Sequence, residues 1–299
     1  MTLSLDGDTL SAPEFRVFSL SHVEPFEGRR VDGLLGEDFL RRHVVQFDYA
    51  HRRVRIIDPR SYVPGPKAIV VPIDTEGGLA VADGSVGLSG RPPIPCRLVI
   101  DTGVRATVIF YHPFAEGHGL LDASGRAVTA TIGGGAGGET RGDLGRVERL
   151  SIGGLTFAQP VALFSRDTVG VFAQSEPDGI VGGEILRRCQ ATFDYPNGRL
   201  VLEPYTDSPP FVYDMSGTFL IGDSSDLGRV MIFSVAERTP AAECGLRKGD
   251  QIVSIDGRPA ASLGLEGARA LFRRAARYRL EIRRGDQPRT IDLATRPLI

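Results

Sequence analysis

The sequence predicts a mainly β protein, and three observations carry that expectation. Glycine and proline are abundant, at 37 and 20 of 299 residues, and they cut the chain into many short Val/Ile/Leu runs rather than long helical periods. One of these β-rich stretches occurs twice. The content of hydrophobic residues, 41%, suits a folded chain long enough for about two domains with cores of their own.

Composition also narrows the classes of function. Basic and acidic residues nearly cancel, at 35 against 37, so the field that nucleic acid or an anionic membrane surface requires is missing. No window reaches the roughly 18 apolar residues of a membrane span, and "MTLSLDGDTLSAPEF" has neither the basic nor the apolar region of a signal peptide. Cys96, Cys189 and Cys244 are widely spaced and odd in number, which favours free buried thiols over a disulfide framework. The five histidines show no ligand spacing, so no metal and no cofactor is expected.

The repeat is read first, because it organises the rest. "DGLLGEDFLRRHVVQFDYAHRRVRI", residues 32–56, lies ungapped over "DGIVGGEILRRCQATFDYPNGRLVL", residues 178–202, with 10 of 25 positions identical. Each copy runs from Asp-Gly through two aliphatics and a glycine into a short helix, then a strand ending in Phe-Asp-Tyr, a turn and another strand. A looser match places "LSLDGDTLSAPEFRVFS" over "LSIGGLTFAQPVALFS", with Ser4 over Ser151. Asp32 and Asp178 read as turn residues, and Asp48 and Asp194 as strand ends feeding hairpins.

Only the second copy is preceded by a front half. Its apolar run "CRLVI" leads into Asp101-Thr102-Gly103 and then "ATVIF". Taken alone, the tripeptide has two readings, a plain turn between strands or a catalytic loop. Projected back by one repeat, the same motif would fall about 45 residues ahead of Met1. The expectation is therefore a gene product that begins earlier.

Together, Asp101-Thr102-Gly103, the glycine-rich "TIGGGAGGETRG" about thirty residues on, and Ile180-Val181-Gly182 before the "ATFDYPNGRLVL" hairpin resemble the retropepsin-like and pepsin-like aspartic proteases. The resemblance implies an acid-protease β-barrel lobe over residues 66–204, preceded at 1–62 by the rear half of a first lobe. Val104 stands where the family carries Ala or Ser. By this resemblance Asp101 is the catalytic carboxylate, Thr102 holds the loop through its hydroxyl, and Gly103 keeps a Cβ away from the reacting water. Gly133, Gly134, Gly135, Gly137 and Gly138 form a flap that closes over a peptide, and Ile180, Val181 and Gly182 support the catalytic turn.

Residues 205–216, rich in Pro, Ser and Asp, read as a linker. Beyond them, residues 217–299 resemble a small α+β PDZ domain of the bacterial type, through "VMIFSVA", Pro240-Ala241-Ala242, Lys248-Gly249-Asp250, "IVSIDGRP" and an expected helix over 265–276. The resemblance implies a groove between an edge at Phe219-Leu220-Ile221 and the helix carrying Leu265 and Arg269, in which the C-terminal end of a peptide adds as a strand. Arg269, Arg273 and Arg274 read either as attractors of that carboxylate or, by the commoner pattern, as a solvated face.

The leading functional expectation is an aspartic-type endopeptidase acting on polypeptides, in which two carboxylates share one proton and activate water. The alternative is a protease-derived scaffold that binds peptides without cutting them, since one carboxylate near its ordinary pKa is a base without an acid. A homodimer pairing two Asp-Thr-Gly lobes is a third arrangement. A periplasmic or secreted location follows only if an upstream extension exists.

Overall fold

The structure is a computed structural model and describes residues 2–5, 8–11, 18–135 and 138–299. Among these residues the strands assemble into four sheets. In the largest, nine strands run in the order Leu155–Ala158, Arg149–Ile152, Val81–Gly87, Ile94–Ile100, Gly179–Val181, Val108–Phe110, Val161–Ser165, Gly138–Arg146 and Val128–Gly135.

One insertion in that order rules out a plain hairpin turn at Asp-Thr-Gly. A plain hairpin turn would pair Ile94–Ile100 with Val108–Phe110. Instead Gly179–Val181 lies between them, parallel to the first and antiparallel to the second. The chain at Asp101 therefore spans a third strand as an open loop. Below it the core is close-packed: Leu98, Phe110, Leu120, Leu150 and Val181 are inaccessible to solvent, and the Phe110 ring stacks between Phe114 and Phe164 at 5.6 and 6.2 Å. Each such side chain contributes roughly 1.5–3 kcal/mol by leaving water.

The two copies of the repeat fold alike. The hairpins Val44–Asp48/Arg53–Ile57 and Cys189–Asp194/Arg199–Pro204 join antiparallel into a five-stranded sheet, which Ile69–Pro72 completes on one side. In the central pairing Gln46 faces Thr192, Val45 faces Phe193 and Phe47 faces Ala191. Because Gln46 and Thr192 hold the same position in the two copies, a local two-fold axis passes between them. The short helices Glu37–Leu40 and Gly183–Leu186 correspond, each entered through an extended glycine, Gly36 and Gly182. The front hairpins correspond too, with Ser4 opposite Thr9 in one and Ser151 opposite Thr156 in the other.

The copies differ in what covers them. Ile180 and Val181 are 8% and 0% exposed beneath the strands on either side. Their counterparts Leu34 and Leu35 are 72% and 51% exposed.

The carboxyl-terminal unit is a sheet of Thr218–Gly222, Val230–Val235, Gln251–Ile255, Arg277–Arg284 and Gln287–Ala294, with Arg258–Pro259 paired to the third strand. The helix Ala260–Phe272 closes its core through Leu265, Ala268 and Phe272. That helix starts and ends earlier than the expected 265–276. It is broken at Gly264, whose φ of 66° is left-handed, and the chain re-enters the sheet at Arg277.

Residues 205–216 are not a free tether. Phe211 and Tyr213 join the core of the large lobe, the Arg188 guanidinium lies 3.5 Å from the centre of the Phe211 ring, and the Tyr213 hydroxyl accepts the N–H groups of Leu298 and Ile299 at 2.7 and 2.9 Å. The Pro/Ser pattern concealed two aromatic anchors that strap the carboxyl-terminal unit to the lobe.

Candidate active site

Asp101 follows directly on the strand Ile94–Ile100, and its N–H donates to the Val181 carbonyl at 2.9 Å. Its carboxylate Oδ1 accepts the Gly103 N–H at 2.7 Å, and a Cβ on Gly103 would stand 3.2 Å from that oxygen. The loop is clamped from behind, since the N–H groups of Gly182 and Gly183 donate to the carbonyls of Thr107 and Val104 at 3.1 and 2.7 Å. A Cβ on Gly182 would lie 2.4 Å from the carbonyl oxygens of both Ala106 and Val104, so only glycine permits this approach. Ile180, Val181 and Gly182 thus lie against the loop that carries Asp101.

Thr102 departs from its expected role. It is exposed, and its hydroxyl bonds no described residue. The backbone clamp at Gly182 and Gly183 does the holding assigned to that hydroxyl. Asp178 also differs: rather than turning onto its own neighbours, its carboxylate accepts the Arg97 N–H across the sheet at 2.7 Å.

Asp101 is half-buried and in no ion pair among the described residues. Beside it the Tyr111 phenol is pushed up to about 12, by burial and then by the Asp101 charge. Tyr111 therefore stays neutral at working pH. No hydrogen bond joins Asp101 to a second carboxyl among the described residues. Asp143 is buried but committed, accepting Arg166 Nη2 at 3.0 Å and the Thr129 hydroxyl.

The glycine-rich stretch forms a two-stranded hairpin, with Gly135 opposite Gly138, Gly134 opposite Glu139 and Gly133 opposite Thr140. Gly137 lies outside the described residues. The first arm leans on the carboxyl-terminal unit, where the Ser234 hydroxyl donates to the Thr131 carbonyl at 3.2 Å. Between lobe and unit lies a cavity of about 250 Å³ lined by Thr107, Val108, Ala130, Leu163, Thr218 and Phe219. It borders the hairpin and the strand after the Asp101 loop, and Asp101 itself is not in its wall.

Asp214, in that wall, is half-buried. Its Oδ1 accepts the N–H groups of Ser216, Gly217 and Thr218 at 2.9, 2.8 and 3.3 Å, and the Ser216 hydroxyl at 2.6 Å. Burial outweighs these bonds and raises its pKa to about 6.

The expected groove residues Phe219, Leu220, Ile221, Leu265 and Arg269 do come together, but Arg269 is no solvated charge. Its side chain is 15% exposed, and Nη2 donates to the carbonyls of Leu220 and Phe26 at 2.7 and 3.0 Å. Sequence reasoning missed two partners here. Phe26 packs on Phe219 and Phe233, and Arg105, four residues past Asp101, pairs with Glu27 at 2.6 Å and with Glu266 at 2.7 Å. No periodicity signals such long-range pairs. All three thiols are free, but only Cys96 and Cys189 are buried as expected, and Cys244 is half-buried; burial pushes Cys96 up to about 12 and Cys189 up to about 11, far from thiolate reactivity.

Residues 84–185 match the aspartyl protease family, and residues 231–284 match the PDZ domain. No curated protein matches the chain. Among solved structures, a retropepsin-like aspartic protease from Rickettsia conorii is similar at 14% identity, over 45% of this chain and 89% of that one, with a TM-score of 0.31. A photosystem II D1 C-terminal processing protease is 23% identical over 27% of this chain and 22% of its own, with a TM-score of 0.25. An HtrA-type protease, AlgW, solved with a decapeptide, is 14% identical over 82% of this chain and 85% of its own, at a TM-score of 0.28. This chain therefore spans about a fifth of the processing protease.

Proposed function

We propose that the chain carries one half of an aspartic-type peptidase centre, with Asp101 as the water-activating carboxylate and the PDZ domain as a docking module for peptides. The observation that carries this reading is the loop itself. Asp101 sits on a span forced open by Gly179–Val181, fixed by backbone bonds and in no ion pair among the described residues. In the reaction this supports, an ionised carboxylate takes a proton from water as the water oxygen attacks the peptide carbonyl carbon. A second, protonated carboxyl hydrogen-bonds the carbonyl oxygen as it gains charge, and the amine leaves with a proton.

The second carboxylate then comes from another Asp-Thr-Gly loop, and residues 1–62, read as the rear half of a first lobe, provide its seat. The two-fold between Gln46 and Thr192 relates Leu34-Leu35-Gly36 to Ile180-Val181-Gly182. Leu34 and Leu35 are the uncovered apolar pair that such a loop and its strands would bury. Both residues become buried if a lobe built like 66–204 assembles there.

Cleavage of an unfolded polypeptide by the native protein, compared between wild type and Asp101→Asn, tests the reading. Losing the base lowers the rate by about 10²–10⁴-fold while the melting temperature stays put. Cleavage undiminished by Asp101→Asn would refute it. One observation favours a second reading, a docking protein without hydrolysis: no second carboxyl is hydrogen-bonded to Asp101 among the described residues. In that case peptides bind wild type and Asp101→Asn alike, and neither cuts.

A further inference from the structure

We propose that residues 23–28 are a ligand of the PDZ domain held in cis, on a seat that a peptide with an aromatic residue followed by an acidic one takes in trans. The competition rests on the docking reading above; the cis contact does not.

The segment is a single helical turn, Glu24–Glu27, ended by Gly28 at a left-handed φ of 65°. It is about 190 residues from the groove in sequence, yet four independent contacts place it there. The Phe26 ring lies 6.2 Å from Phe219 on the edge strand and meets Phe233 edge-on at 5.6 Å, while Phe219 and Phe233 are 5.9 Å apart. Such ring pairs add about 0.5–1.5 kcal/mol each beyond burial. The Phe26 carbonyl accepts from Arg269 of the groove helix, and the same Nη2 takes the Leu220 carbonyl, which an added strand would otherwise contact. A Cβ on Gly28 would stand 2.7 Å from the Leu265 Cβ, so glycine is what lets the segment lie against the helix. Pro25 borders Ile221, Met231 and Phe233 at the far end of the edge strand.

Charge gives the ligand its second feature. Glu27, next to Phe26, forms two hydrogen bonds with Arg105, through Nε at 3.2 Å and Nη2 at 2.6 Å, and these hold its carboxyl below the usual value against its burial. Arg105 also bonds Glu266 of the groove helix at 2.7 Å. One guanidinium thus joins the cis segment, the PDZ helix and the loop four residues beyond Asp101. A ligand that evicts Phe26 and Glu27 withdraws one of the two carboxylates steadying that loop, so groove occupancy and loop order are linked through Arg105.

The experiment uses the full chain as wild type, Phe26→Ala and Gly28→Val, the second acting by steric exclusion from Leu265. Amide hydrogen exchange over 218–222 and 265–269 reads the cis seat directly. A fluorescein-labelled peptide of residues 21–29 reads competition. Both variants are expected to exchange about tenfold faster at these amides and to bind the peptide about tenfold more tightly than wild type, because the seat is vacated. The same peptide with Phe replaced by Ala binds none of them. Unchanged exchange in both variants overturns the cis seat. Faster exchange without peptide binding refutes the competition and the docking reading together, leaving the Asp101 assignment untouched. Equal binding of the two peptides refutes the aromatic requirement.

Discussion

The Gln46 side-chain amide donates to the Thr192 hydroxyl at 3.1 Å across the centre of the five-stranded sheet, and both groups are buried. These residues are the same position in two copies of one repeat, so the bond lies on the local two-fold axis. The duplication is thereby cemented at its midpoint by a polar contact inside an apolar sheet. Such a contact helps fix register, because a slip of one residue turns every side chain to the opposite face.

Thr192→Val strands the buried Gln46 amide without changing the volume much, and is expected to lower stability by about 1–3 kcal/mol. Adding Gln46→Leu removes the stranded group and recovers part of the loss. Urea denaturation of the two singles and the double reads the coupling; strict additivity would show that the two side chains do not interact.

Gly182→Ala puts a Cβ into the carbonyls of Ala106 and Val104, at 2.4 Å from each. The backbone φ of −110° is ordinary, so the penalty is steric rather than torsional. The Asp101 loop must back away from Val181, at a cost of about 1–3 kcal/mol. A melting-temperature drop accompanied by faster exchange at the Gly183 N–H, which bonds Val104, is the expected result. Gly36→Ala at the matching position meets nothing within 4 Å and leaves the melting temperature unchanged.

How much of this was legible beforehand follows from the range of each signal. The repeat, its hairpins and the glycine hairpin are written in local patterns, and 10 identities in 25 made the equivalence of Gln46 and Thr192 readable. Asp101 was singled out by a tripeptide, but only the insertion of Gly179–Val181 showed that the loop is open. Thr102 misled because a hydroxyl's partner cannot be read from spacing. Arg269 looked like a solvated charge since its acceptors, Leu220 and Phe26, are backbone carbonyls, which every residue has and no pattern marks. Phe211 and Tyr213 were hidden by the Pro- and Ser-rich residues around them.

The strap over 205–216 makes its own prediction. The Tyr213 hydroxyl accepts from two adjacent amides, Leu298 and Ile299, and bonds the Ile299 carbonyl. Tyr213→Phe leaves those groups without a partner, costing about 1–3 kcal/mol. Exchange at residues 298–299 rises while the sheet core around Leu280 and Ile282 keeps its protection. Equal loss of protection in both places would show that lobe and PDZ domain unfold as one.

Asp214 supplies the pH prediction, and its sign runs opposite to that of a surface carboxylate. Burial raises its folded pKa from 3.8 to about 6, even though Ser216, Gly217 and Thr218 hydrogen-bond the charged form. Between those values the folded protein holds a proton that the unfolded chain has released, so stability falls as pH rises through the window. The contribution is fully present below about pH 4 and gone above about pH 6. It amounts to a loss on the order of 3 kcal/mol. Asp214→Asn keeps an oxygen for the three amides and cannot ionise. Urea midpoints measured from pH 4 to pH 7 should decline more steeply for wild type than for the variant. Parallel curves would mean that Asp214 titrates alike in the folded and unfolded chains, and that the wall of the cavity is wetter than its packing indicates.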